Sequence, residues 1–221
     1  MTDVEVSITI PAGGVVLEAD VVVPRSAHAV VLFAHGSGSS RRSPRNRHVA
    51  RELQRAGLAT VLADLLTPEE DRIDAATGRM RFDIGLLSER VSALVERLPE
   101  DELIGGLGLG LFGASTGAAA ALVAAAAHPD TVKAVVSRGG RPDLAGDALR
   151  LVRQPVLLIV GERDPIVIEL NREAMDEIVG ETRLEIVPRA SHLFEEQGAL
   201  EAVAETARDW FLRHLAGATA G

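Results

Sequence analysis

Apolar and polar residues alternate at the start of the chain. Val4, Val6, Ile8 and Ile10 stand against Glu5, Ser7 and Thr9, and after Pro11-Ala12-Gly13-Gly14 the period of two returns with Leu17, Ala19, Val21 and Val23 against Glu18 and Asp20. Each run predicts a strand with one buried face, and the glycine break between them predicts an antiparallel hairpin. Past Pro24 the pattern changes. Residues 29–34, 59–66, 132–136 and 155–160 are apolar without alternation, as strands covered on both faces are, and residues 183–187 predict one more strand. Helical spacing marks residues 46–57, closed by Gly57, and residues 83–98, where Leu86, Leu87, Val91, Leu94, Val95 and Leu98 form one apolar stripe. Further helices are expected after Gly117 up to His128, briefly at 144–151, at 170–179 and at 195–215. Residues 67–81 are polar, with Pro68, Gly78, Glu69, Glu70, Asp71 and Asp74. They read as a long loop, a candidate mouth or lid.

Strands that alternate with helices call for a mostly parallel sheet with helices on both faces, the hairpin adding an antiparallel edge. In such sheets functional groups gather beyond the carboxyl ends of the strands. The stretch 107–117, LGLGLFGASTG, is a short apolar run that ends in Gly113-Ala114-Ser115-Thr116-Gly117 and passes at once into an alanine-rich helix. G-x-S-x-G between strand and helix describes a nucleophile elbow, a sharp turn that lifts a serine hydroxyl out of the sheet. The flanking glycines fit because the turn brings the helix backbone against neighbouring strands and leaves no room for a Cβ.

Two further strand ends carry Asp164 and His192, so that Ser115, Asp164 and His192 follow in the order of a hydrolase triad whose serine sits on an elbow. The three types are what the chemistry needs. A serine hydroxyl needs an imidazole to take its proton, and a carboxylate fixes the imidazole tautomer and stabilises the imidazolium. Glu162 is the competing acid. The oxyanion requires preorganised donors: the Thr116 N–H is one, and the His35-Gly36-Ser37-Gly38 segment after the third strand supplies the other, from Ser37 or, alternatively, Gly38. His35 is read as a structural pin of that loop.

Composition narrows the picture. The chain has 221 residues and a formal net charge of −9, which argues against a nucleic-acid or anionic-membrane role. With no cysteine, disulfides and thiolate chemistry are excluded. No HExxH or clustered ligand set predicts a metal, no GK[ST] follows the Gly36–Gly38 segment, and no cofactor is expected. The start, Met1-Thr2-Asp3-Val4-Glu5, has no basic region before an apolar stretch, and the longest apolar run is too short for a bilayer. A cytoplasmic protein of one domain, residues 1–221, is expected.

Through HGSGSS (35–40), GASTG (113–117), GERDP (161–165) and SHLF (191–194) the sequence resembles the α/β-hydrolases, and within them the small dienelactone-hydrolase-like branch. The resemblance implies an α/β-hydrolase fold with an eight-stranded sheet and no separate cap domain. It also implies ester hydrolysis. Dienelactone hydrolases in the strict sense use a cysteine nucleophile, so a chain without cysteine points to a serine esterase. The expected partner is a small-molecule ester with a short or medium acyl chain; acyl transfer, perhydrolysis or a non-catalytic binding role are the alternatives. Leu65, Leu66, Ile166, Leu193 and Phe194 are candidate walls of an acyl pocket. Within the basic run from Arg41 to Arg55, Arg41 or Arg42, or else Arg138 at another strand end, is a candidate for meeting a substrate carboxylate.

Overall fold

The computed structural model describes residues 3–215; the first two and last six residues of the expected 1–221 domain lie outside the described residues. Eight strands form one sheet in the order β1-β2-β4-β3-β5-β6-β7-β8. The strands β1 (Val4–Ala12) and β2 (Val15–Val23) are the antiparallel hairpin, paired from Val4 with Val23 to Ala12 with Val15. Gly13 and Gly14 both have positive φ, 53° and 78°. That is the two-residue turn whose twist suits paired strands. β2 then runs antiparallel to β4 (Leu58–Ala63), and every later pairing is parallel.

The interior strands are β3 (Ala29–Ala34), β5 (Gly108–Ala114), β6 (Val132–Arg138) and β7 (Val156–Gly161), and β8 (Thr182–Val187) closes the other edge. β3, β4, β5 and β7 are buried at every residue, which is why their sequences show no alternation. Helices α1 (Pro44–Arg55) and α6 (Ala199–Leu215) cover one face, where Val49, Leu53, Val203, Ala207 and Phe211 meet Val31, Phe33, Phe112 and Val136. On the other face α3 (Ile84–Arg97) and α4 (Thr116–Ala127) pack on Leu32, Leu111 and Val135. α4 is apolar all round and is buried accordingly.

Three elements depart from the sequence expectation. Residues 67–81 are not a loop: α2 (Pro68–Thr77) occupies most of them, followed by a 3-10 turn, Met80–Phe82. Thr67 caps α2 by accepting from the Glu70 N–H while the Glu70 carboxylate accepts from the Thr67 N–H, a capping box, and Gly78 ends it in the left-handed conformation. α1 begins at Pro44, capped by Ser43, and α5 (Pro165–Glu177) begins directly after Asp164, five residues before the expected start. In both, proline takes the first turn, where its missing N–H costs no hydrogen bond. Residues 142–151 form a 3-10 connection kinked at Gly146, so the chain between β6 and β7 is short and builds no cap.

Candidate active site

The elbow lies where β5 passes into α4. Ser115 has φ 50° and ψ −120°, a conformation that L residues rarely adopt and that costs on the order of 1–3 kcal/mol. Its backbone is over-determined: the Ser115 N–H donates to the Arg138 carbonyl (3.2 Å), and the Ser115 carbonyl accepts from the N–H groups of Ala118 (3.1 Å) and Arg141 (3.2 Å). The neighbouring glycines are sterically required. A Cβ on Gly113 would overlap the Ala118 backbone, and one on Gly117 would overlap the Ala34 and His35 carbonyls.

Asp164 and His192 come from separate strand ends, and the backbone ties these together. Glu162 N–H donates to the Val187 carbonyl (3.0 Å) and Arg163 N–H to the Ala190 carbonyl (2.9 Å), while a Cβ on Gly161 would overlap the Ala190 carbonyl. On that joint the His192 Nδ1–H donates to Asp164 Oδ2 at 2.6 Å. Asp164 is largely shielded and His192 is the more open of the two. Glu162, the competing acid, turns away and accepts from the Arg189 N–H at 2.6 Å. Between His192 and the elbow lies Gly139 (φ 51°): a methyl group there would sit 3.2 Å from the His192 carbonyl and 3.5 Å from its Cε1. Ser115 Oγ makes no hydrogen bond among the described residues.

The loop after β3 turns at Gly36-Ser37-Gly38-Ser39, closed by Ser39 N–H to the Gly36 carbonyl (3.2 Å) with Gly38 at φ 66°, a type II turn. Neither the Ser37 nor the Thr116 N–H has an acceptor among the described residues. His35 is buried beneath this turn. Its Nδ1 lies 3.0 Å from the Gly36 carbonyl, and its Nε2 accepts the Leu65 N–H at 3.0 Å. This network requires the neutral ring with the proton on Nδ1. Burial holds the imidazole below its ordinary pKa, outweighing the Gly36 carbonyl and the charges of Asp64 and Asp71.

The other candidates fall in different places. Arg41 is not available to a substrate: its guanidinium pairs with Glu18, Asp20 and Asp64, and its N–H donates to Asp64 Oδ1 at 2.6 Å. Arg42 is exposed on the rim of a cavity of about 360 Å³ beside the loop after β3, with Ser39, Ser40, Leu66, Pro68 and Asp71. Phe194 and Leu65 are not pocket walls. Both are core residues, Phe194 because its positive φ (55°) turns the ring inward among Val136, Phe112 and Ala190. Leu66 is nearly buried, whereas Ile166 and Leu193 stay exposed. Arg138 is buried beside the elbow.

The model of the dienelactone hydrolase family matches residues 17–216. The chain belongs to the dienelactone hydrolase family. It is 54% identical to a dienelactone hydrolase from Anabaena variabilis whose crystal structure superposes with a TM-score of 0.95, over 97% of this chain and 100% of that one. Est1E from Butyrivibrio proteoclasticus shares the fold at 17% identity and a TM-score of 0.79, over 95% and 99% of the two chains. Proteins of two Mycobacterium tuberculosis strains, each named "Putative phosphoribosyl transferase", are 53% identical over 98% of this chain. The chain spans about half the length of these curated relatives, covering 48% of each. Family and fold are those of a hydrolase.

Within this dienelactone hydrolase fold, several residues near the elbow escaped the sequence reading. Asp74 of α2 is buried and accepts from the N–H groups of Met80 (2.7 Å) and Arg81 (3.2 Å) and from the Arg81 guanidinium. Burial pushes its carboxyl up, but these donors outweigh it and hold the pKa below the usual range. Arg81, so held, covers the Gly36–Ser39 turn: a Cβ on Gly38 would lie 3.1 Å from Arg81 Nη1. Glu196 clamps the histidine loop by accepting from the Ser191 N–H (3.0 Å) and hydroxyl (3.2 Å). An acid seven residues after the cap of its helix, as Asp74 is after Thr67, or four residues past a histidine, has no distinctive sequence signal. Among the described residues no helix is long and apolar enough to cross a membrane.

Proposed function

We propose that this protein is a serine hydrolase that cleaves short- to medium-chain carboxylic esters through an acyl-enzyme. Ser115 is the nucleophile, His192 the general base and then acid, and Asp164 the carboxylate that orients it. The observation that carries the reading is the pairing of a strained serine on the β5–α4 turn with a histidine whose Nδ1 is committed to Asp164 at 2.6 Å, leaving Nε2 as the free base. The Ser115 hydroxyl attacks the ester carbonyl carbon as its proton passes to His192 Nε2. The tetrahedral oxyanion is held by the N–H groups of Ser37 and Thr116. Its collapse breaks the bond to the alcohol, which leaves with the His192 proton, and a water then repeats the sequence to release the acid and free Ser115. The open Ser115 Oγ is consistent with this, because hydrogen bonds of a triad tighten when substrate binds.

A short 3-10 connection in place of a cap leaves the site open, which suits small esters. In a p-nitrophenyl ester series, kcat/KM is expected to be highest for chains of two to eight carbons. Ser115→Ala lowers kcat by about 10⁶, and Asp164→Asn by about 10⁴ with KM little changed. A Ser115→Ala enzyme with native turnover would refute the assignment. Alcohols or peroxide outcompeting water for the acyl group would move the reaction to transfer on the same residues.

A further inference from the structure

α5 follows directly on Asp164, its N-cap, and turns Val167, Ile168, Asn171 and Ala174 inward. Three of these are apolar residues at helical spacing, and the fourth is an amide that is fully buried. Asparagine is a poor residue for the inside of a helix, because its side chain competes for backbone groups and is costly to bury. A leucine would suit the stripe better on both counts. The amide is therefore explained by the bonds it makes. Asn171 Nδ2 donates to the Val167 carbonyl, one turn back in its own helix (2.7 Å), and to the Gly140 carbonyl (3.0 Å). Both partners can only accept, which fixes the amide with its nitrogen toward them. Asn171 Oδ1 is buried without a partner among the described residues, so the donor half is the part in use.

Gly140 belongs to a collar around the nucleophile, residues 138–141. The Arg138 carbonyl accepts the Ser115 N–H (3.2 Å), the Arg141 N–H donates to the Ser115 carbonyl (3.2 Å), and Gly139 lies against His192. Two of the three backbone bonds that hold Ser115 at φ 50° are thus made by this one segment. Strain of that kind persists only where the surroundings over-determine it. The collar is itself tied to β7 by the Gly139 N–H, which donates to the Ile159 carbonyl (2.7 Å). Past that point, Asn171 is the one side chain among the described residues that bonds the collar's backbone. Packing there is close, since a Cβ on Gly140 would overlap Ser137 Oγ and the Ala118 Cβ. A shift of Gly140 would be passed on to its neighbours.

We infer that Asn171 is a positioning residue for the reaction: by holding the Gly140 carbonyl it keeps Ser115 in its strained conformation and ties the helix that starts at Asp164 to the turn that carries the nucleophile. This rests on the serine-hydrolase reading for the reaction, but the hold on the elbow can be measured without it.

The test sets Asn171 against a buried amide of the same chemistry away from the elbow. Gln154, at the far end of α4, is also buried and donates through Nε2 to the Ala125 carbonyl at 2.7 Å. Asn171→Leu removes the donor at similar volume. Asn171→Thr leaves a hydroxyl that can bond the Val167 carbonyl one turn back but is too short for Gly140. Gln154→Leu is the control, and circular dichroism sets a temperature at which every variant is folded. Both Asn171 variants should lower kcat for p-nitrophenyl butyrate by about ten- to a hundredfold with KM nearly constant, the loss expected when a reacting group is displaced by up to about 1 Å. Gln154→Leu should keep kcat near the native value. Amide hydrogen exchange followed by NMR should show the Ser115 and Arg141 N–H groups exchanging about tenfold faster in the Asn171 variants, as a loosened local unit does, and unchanged in Gln154→Leu. Native exchange at both amides would overturn the tie itself; should Asn171→Leu fail to fold, Asn171→Thr decides. Faster exchange with native kcat, or an equal loss of kcat in Gln154→Leu, would overturn the positioning role. Absence of ester turnover in the unsubstituted protein would refute the hydrolase reading and leave the exchange rates to decide the tie by themselves.

Discussion

The ends of β3 and β6 flank β5 on its two sides, and both carry buried basic residues beside the elbow. At the β3 end the buried ring and the shielded guanidinium face acceptors or anions: His35 is bonded through both ring nitrogens, and Arg41 is enclosed by Glu18, Asp20 and Asp64, although its Nε makes no hydrogen bond. At the β6 end the Ser137 hydroxyl and two Arg138 nitrogens have none among the described residues. The charge-paired end is scaffolding, which fixes the loop after β3. The β6 end differs in that its cation faces no carboxylate among the described residues, and buried polar groups without partners are rare in folded proteins and call for an explanation.

The largest effect that probes this contrast is expected at Gly36. A Cβ there would lie 3.0 Å from both the Ala114 carbonyl and Ser115 Cβ, so Gly36→Val should push the β3 loop away from the elbow. Loss of one oxyanion donor is worth about 10² to 10³ in kcat. A loss of that size in kcat, with KM nearly constant in ester assays, supports the role of the β3 end. A purely KM effect would assign the loop to binding instead.

Next in size is a stability contrast between two arginines. Arg41→Met leaves three carboxylates facing one another, and because Glu18 is partly exposed the expected cost is about 2–3 kcal/mol, below the full value for breaking a buried pair. That corresponds to a Tm lower by about 5–10 °C for a chain of this size. Arg138→Met in anion-free buffer should leave Tm level or raise it. Thermal denaturation followed by circular dichroism checks both, and equal losses would erase the distinction between the two ends.

The smallest expected effect is a pH dependence. Burial places the folded His35 pKa below that of an unfolded histidine, about 6.5. As pH falls through that value the unfolded chain takes up the proton first, so stability is complete above about pH 6.5 and declines below it. His214, also depressed by burial, contributes in the same sense. His35→Gln keeps an acceptor for the Leu65 N–H and should flatten part of the decline in Tm between pH 7 and 5. An identical pH profile in both proteins would show that the ring is not held neutral.

The contrast between the two ends also marks how far sequence reading reaches. The inner strands were legible because burial on both faces forces unbroken apolar runs, and the serine, aspartate and histidine because each comes shortly after a strand, the histidine after the half-exposed edge strand β8. Arg41 and Arg138 were indistinguishable in sequence: the carboxylates that enclose Arg41 come from β2 and from the end of β4, brought together only by the sheet order. Phe194 read as a pocket wall because nothing in SHLF announces the positive φ that turns it inward. α2 was missed because only Asp74 among its residues is buried, so it has no apolar stripe, although Thr67 and Glu70 carried the capping signal. Period reports packing against a core; capping and ion pairs across the chain leave weaker traces.

Covalent labelling decides whether Ser115 is a nucleophile. The native protein, treated with a fluorophosphonate at neutral pH, should gain one phosphonyl adduct by intact mass, located on Ser115 by peptide mapping, and Ser115→Ala should gain none. No adduct on the native protein, or an adduct that persists unchanged in Ser115→Ala, would contradict the account.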